Sequence, residues 1–212
     1  MYEIPTCIKL GEQSYSIRDK GDYRMVLDCF GALNDYTLSV DERVYSCLIM
    51  FYEYFTDDIP DYIEDEDVRF QLCMRKISGL DKNVLEQLVK QMYIFFNGGN
   101  DSFEDAPKTP RLIDWENDEQ LICSAVNKVA GEEIRALPYL HWWTFLGYYM
   151  AVGESPLSHI VGIRHKIATN QKLEKYERKF QHENPQYFKM DFRSDEDKEY
   201  DELIKELWNK DT

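Results

Sequence analysis

Apolar residues alternate with polar ones only near the start of the chain; elsewhere they recur at helical spacing. Thr6, Ile8 and Leu10 alternate with Cys7 and Lys9. Gly11-Glu12-Gln13 offers a turn, and Ser14 to Arg18 alternates again through Tyr15 and Ile17. A period of two on both sides of a glycine turn predicts a β-hairpin. Two strands alone are marginal in water, so the hairpin must pack on the helices that follow. Asp22 opens a helix with Tyr23, Val26, Leu27, Phe30 and Leu33 on one side. Ser39-Val40-Asp41-Glu42 is a capping box ahead of Val44, Cys47, Leu48, Phe51 and Tyr52. A short helix over residues 68–78 carries Phe70, Cys73, Met74 and Ile77. Asp81 caps another with Leu85, Leu88, Val89, Met92, Phe95 and Phe96, ended by Asn97-Gly98-Gly99. Residues 97–110 hold two glycines, two prolines and no apolar period, so they read as a linker.

The second half is organised around an aromatic stretch. Asp114 caps a helix presenting Trp115, Ile122, Ala125, Val126 and Val129, with Gly131 placed to end it. Pro138 suits the first turn of the next helix. Residues 139–152 then bring six aromatics: Tyr139, Trp142, Trp143, Phe145, Tyr148 and Tyr149. Tyr139, Trp142, Trp143, Leu146, Tyr149 and Met150 share one helical face, while Phe145, Tyr148 and Val152 put apolar surface on the other. A helix that is apolar all round is central to a bundle or buried against a partner. Successive residues point about 100° apart on a helix, so Trp142 and Trp143 cannot both face the core. Gly153 stops this helix, and Ser155-Pro156 reads as an N-cap with proline at the first helical position. Leu157, Ile160, Val161 and Ile167 form the next buried stripe; Arg164, His165 and Lys166 lie in the last turn, where positive charge complements the helix dipole.

Residues 162–179 carry six cations against two acids. They predict an amphipathic helix whose cations pair with acidic parts of the molecule, the sharper alternative being a nucleic-acid patch. Asn184-Pro185 breaks that helix. The charged remainder holds a short stripe, Leu203, Ile204, Leu207 and Trp208, that can dock as a helix. These patterns predict a mainly α fold, a helical bundle with a small N-terminal β-hairpin. The organisation expected is a hairpin plus helices over 1–96, a linker over 97–110, an aromatic helical half over 111–183 packed with the first as one unit, and a charged tail over 184–212.

Charge narrows the partners. The 212 residues carry 40 acids against 25 Lys and Arg, a formal net charge of −15. Such a surface repels nucleic acid and anionic membranes and favours basic or amphipathic partners. Five cysteines are scattered without CxxC spacing, which fits buried thiols in a reducing cytoplasm rather than zinc or disulfides. No secretory leader is expected, and no apolar run approaches the roughly 20 residues of a membrane span. Residues 53–67 hold eight acids and no Lys or Arg. They lack the glycine and ligand spacing of an EF-hand, so a solvated segment is expected. His159 and His165 lie about 120° apart on a helix, and His141 and His182 stand alone. With no HExxH, GxSxG, P-loop or GxGxxG, the chain reads as a non-enzyme without catalytic residues, metal or cofactor.

Several of these residues resemble a known family. The opening IKLGEQSYSIRDKGDYRMVL is similar to the start of the bacteriophage gene-product-fifteen family, and LIDWENDEQLICSAV, YLHWWTF and IVGIRHKI resemble its C-terminal segments. The resemblance spans most of residues 4–183, its most specific piece being Leu140-His141-Trp142-Trp143, and it stops near Asn184. It implies a non-enzymatic tail-assembly chaperone of long-tailed phages, which coats the helical tape-measure protein in the host cytoplasm and is absent from the mature virion. A structural tail-completion or connector subunit retained in the particle is the alternative. On either reading Tyr139, His141, Trp142, Trp143, Phe145, Tyr148, Tyr149, Leu157 and Ile160 are the residues expected to form or support a groove for apolar helices. Those helices would come from the tape-measure protein or from a second copy of the chain in a homo-oligomer.

Overall fold

The computed structural model describes residues 3–35, 37–101, 110 and 112–189. The stripe at Leu203 to Trp208 lies outside the described residues. The described residues are mainly α-helical, with one two-stranded sheet at their start. It divides into two compact units. The described residues of Met1–Asp101 form the first together with His141–Trp143; those of Ser102–Leu140 and Thr144–Asp201 form the second.

In the first unit, β1 (Cys7–Leu10) and β2 (Gln13–Ser16) pair antiparallel, Cys7 opposite Ser16 and Leu10 opposite Gln13. Gly11 takes the positive φ, 60°, that the tight turn requires. Tyr15 is the inward residue of β2 and lies edge-on to Tyr52 and Tyr54. Ile17 then bridges to Tyr52, anchoring the hairpin to the helices as its small size demands.

Four helices follow, each started by the side chain of an N-cap residue. Asp22 caps α1 (Tyr23–Leu33) and Ser39 caps α2 (Val40–Phe51) with the full capping box. Asp65 caps α3 (Glu66–Ser78) and Asp81 caps α4 (Lys82–Phe96). The α3 helix starts two residues before the expected Val68, because an acid inside the acidic run serves as its cap. α1 and α2 meet at Cys29 and Cys47, whose thiol is 3.2 Å from the Cys29 carbonyl. The core is aromatic: Phe51 sits edge-on to Tyr52, Phe95 and Phe96, and the buried Tyr52 hydroxyl donates to the Leu88 carbonyl at 2.8 Å. Such edge-to-face pairs add about 0.5–1.5 kcal/mol beyond area burial.

The acidic run is fastened at its ends and along one side. Arg18 donates to the carbonyls of Met50 and Ile49 and to Thr56. Lys76 donates to the Tyr54 carbonyl and pairs with Asp58, and Arg69 donates to the Ile63 carbonyl. Asp57, Asp58, Asp61, Glu64, Asp65, Glu66 and Asp67 remain exposed.

The second unit holds α5 (Glu119–Ala130), most of α6 (Trp142–Met150), α7 (Pro156–Ala168) and α8 (Lys175–Glu183). Three expectations are corrected here. Helix α5 starts one turn later than Asp114, whose carboxylate instead accepts from the Asn117 amide in a preceding turn. Helix α6 starts at Trp142, not at Pro138, because the first N-cap acceptor is His141, whose Nδ1 takes the Trp143 amide. The basic stretch is two helices, interrupted at Thr169 and Asn170, whose φ is 55°. Asn tolerates that left-handed position at a helix end better than other non-glycine residues.

Arg164 is not a surface cation of the α7 end. Its side chain is 1% exposed and forks onto Asp118, which is fully buried, at 2.5 and 2.9 Å. Its remaining contacts are the carbonyls of Tyr187 (2.8 Å) and Leu112 (2.9 Å). Asp118 also accepts from the Asp114 amide. A bidentate guanidinium–carboxylate pair with its other donors satisfied is the one arrangement in which burying both charges is tolerable.

Candidate functional site

The Leu-His-Trp-Trp segment is organised around the end of α4. A helix leaves its last four carbonyls without intrahelical partners. Here Tyr93 accepts from the Asn97 amide and Ile94 from Gly99, while Phe95 accepts from Gly98. Phe95 and Phe96 also each accept an indole N–H at 2.9 Å, from Trp143 and Trp142 respectively. The two adjacent tryptophans thus cap α4 from outside its own sequence. Trp142 is 1% exposed and lies edge-on to Phe30; Trp143 is half-buried, tilted against Phe95. The different faces expected of the pair appear as this difference in burial.

His141 starts α6. Its Nδ1 accepts from the Trp143 amide at 3.0 Å, the position of an N-cap acceptor, and its Nε2 is 3.1 Å from the Pro5 carbonyl. Those two contacts require neutral imidazole with the proton on Nε2. Burial pushes the His141 pKa below its ordinary value, against the opposing effects of the Pro5 hydrogen bond and the Asp22 charge. Gly21, at φ 79°, allows this closeness: a β-carbon there would lie 2.6 Å from the Phe95 ring and 3.0 Å from His141 Nε2.

The nine residues expected at a partner surface therefore separate. His141, Trp142, Phe145, Leu157 and Ile160 are buried. Trp143, Tyr148 and Tyr149 are half-buried, and Tyr139 is 43% exposed. Within the second unit, Trp115 lies against Phe145 and Tyr149, and burial raises the Tyr149 pKa. Met150, grouped with Trp142 on one face in the sequence pattern, is instead 83% exposed at the last position of α6. Periodicity missed it because a helix's final turn runs out of neighbours before it runs out of apolar residues. Two further exposed aromatics, Tyr62 in the acidic run and Tyr176 on α8, were also not singled out by pattern.

Among the described residues no group of three His, Cys, Asp or Glu side chains is placed to hold a metal ion. None of their helices is long and apolar enough to cross a membrane. The arrangement offers apolar and charged contact surface. A family model described as Bacteriophage Gp15 protein matches residues 2–190. The chain belongs to this family. No curated protein and no solved structure matches the chain. In this Gp15-family chain the segments that carry the family resemblance are fold-forming. LHWW caps α4, and Asp118 in LIDWENDEQLICSAV holds Arg164 in IVGIRHKI.

Proposed function

We propose that this phage protein is a non-enzymatic tail-assembly chaperone that binds and solubilises the tape-measure protein of the same phage while the tail is built. The observation that carries the proposal is membership of the Gp15 family across residues 2–190; the chaperone role is what the sequence resemblance to that family implies. Surface chemistry supports it: exposed Met150 and Tyr139, with half-buried Tyr148 and Tyr149, give apolar contact area on a chain of net charge −15. A strongly charged carrier stays soluble while its apolar contacts cover a helix that would otherwise aggregate. The buried residues among those expected at the partner surface, Trp142 and Phe145 above all, support it from within. The protein acts in the host cytoplasm and leaves before the virion matures.

Co-expression tests the reading. The tape-measure protein should move from the insoluble to the soluble fraction when this chain is present. A Met150→Ser variant should keep a near-wild-type melting temperature and lose much of the effect. Equal insolubility with and without the chain refutes the proposal. Stoichiometric presence of the chain in purified mature particles, read by mass spectrometry, replaces it with a tail-completion or connector role.

A further inference from the structure

The inner side of α8 is anchored. Buried Glu177 receives Lys166 of α7 at 2.6 Å, and Phe180 lies edge-on to His159 and Phe188. The outer side is cationic. Lys175, Arg178, Lys179 and His182 are all exposed and stand at i, i+3, i+4 and i+7, one stripe of a helix. Beside it Tyr176 is 62% exposed, stacked on His159 with ring planes 12° apart. Among the described residues one ion pair touches the stripe, Lys179 to Glu183 at 3.7 Å. Residues 162–189 hold seven Lys and Arg against three Glu, within a chain of 25 against 40.

We propose that this outer face of α8 binds a second copy of the chain, through the surface of residues 57–67. Charge complementarity selects that occupant. Residues 57–67 expose seven carboxylates around Tyr62, which is 83% exposed, and contain no cation. One surface therefore offers Tyr62 among carboxylates and the other offers Tyr176 beside four basic side chains, with Glu183 at its end. Nucleic acid is the other anionic candidate for the stripe, and duplex DNA binding separates the two. Each copy carries one surface of each kind, so every contact joins α8 of one copy to residues 57–67 of another.

Sedimentation velocity on the full chain tests this. Wild-type protein should associate with rising concentration at about 50 mM salt and dissociate at about 500 mM, where the screening length falls to a few ångström. Lys175→Glu/Arg178→Glu/Lys179→Glu should weaken association by about tenfold or more, since each exposed pair contributes a few tenths to 1 kcal/mol and reversal turns attraction into repulsion. Asp57→Lys/Asp61→Lys/Glu64→Lys should do the same. Mixing the two variants should restore association, because each then meets its opposite. A wild-type monomer at every concentration, association indifferent to either reversal, or failure of the mixture to recover overturns the proposal. So does wild-type binding to a DNA duplex near physiological salt that the α8 reversal abolishes, which would assign the stripe to nucleic acid.

Discussion

Replacing Arg164 by Met tests how the second unit is held together. The guanidinium is 1% exposed and its Asp118 partner is fully buried, so water reaches neither. Met fills much of the same volume but donates nothing. It removes two bonds to the carboxylate and the bonds to the Tyr187 and Leu112 carbonyls. Summing these as charge-assisted bonds would overstate the loss, because the wild-type pair has already lost its hydration. The decisive quantity is the Asp118 charge left buried, which costs about 3–5 kcal/mol. For a chain of this length that corresponds to a fall in melting temperature of roughly 6–20 °C. A second variant, Arg164→Met/Asp118→Leu, removes both charges and should recover more than half of the loss, since a buried pair is often replaceable by apolar residues at little cost. Urea denaturation of the wild type, both single variants and the double gives the coupling energy directly. If Arg164→Met lies within about 1 kcal/mol of wild type, the pair is hydrated and does not hold Leu112, Tyr187 and α7 together.

Trp142→Ala should cost about 3–5 kcal/mol, whereas Trp143→Phe keeps its ring against Phe95, loses one hydrogen bond and should cost about 1 kcal/mol. Equal losses in urea denaturation would refute the division between a buried and a half-buried cap. His141 is held neutral with its pKa below the ordinary value, so the unfolded chain binds its proton first. Its contribution to stability is complete above the ordinary pKa of 6.5 and is lost as pH falls from there toward the folded pKa. Denaturation midpoints for His141→Asn, which keeps an N-cap acceptor, should fall less steeply than wild type across that window; parallel slopes refute the assignment.

Local chemistry was legible and distant chemistry was not. Asp22, Ser39, Asp81 and Ser155 cap the helices they were expected to cap, because an N-cap is a contact over two or three residues. The hairpin and the left-handed Gly131 follow from equally short signals, although the turn is Gly11-Glu12 alone and Gln13, read as part of the turn, already pairs with Leu10. By contrast, Arg164 reaches Asp118 across 46 residues, and Trp142 and Trp143 reach α4 across 46 and 48. No periodicity records which carbonyl an indole will find. The only hint was chemical: a buried indole N–H needs an acceptor, and a helix end has spare ones. For the same reason the aromatic stretch looked like a single apolar helix, when Tyr139 precedes the helix and Met150 ends it in solvent.

That division bears on where binding specificity resides. A residue can be indispensable to a protein's shape and contribute nothing to its choice of partner. Leu140, His141 and Trp142 are buried, and the two indoles spend their only donors on α4 carbonyls. An incoming helix would find no polar group of Trp142 to recognise and could not displace it without uncapping α4. The same holds for Arg164, whose donors are committed to Asp118, Tyr187 and Leu112. What a partner can read is the exposed remainder: Met150 and Tyr139, Tyr62 among carboxylates, and Tyr176 beside the cationic stripe of α8. Most of the surface of Met150 and Tyr62 lies in solvent, so these two can change without unfolding the chain. On the proposed chaperone reading, the buried Leu-His-Trp-Trp segment and the residues that choose the partner are therefore different residues.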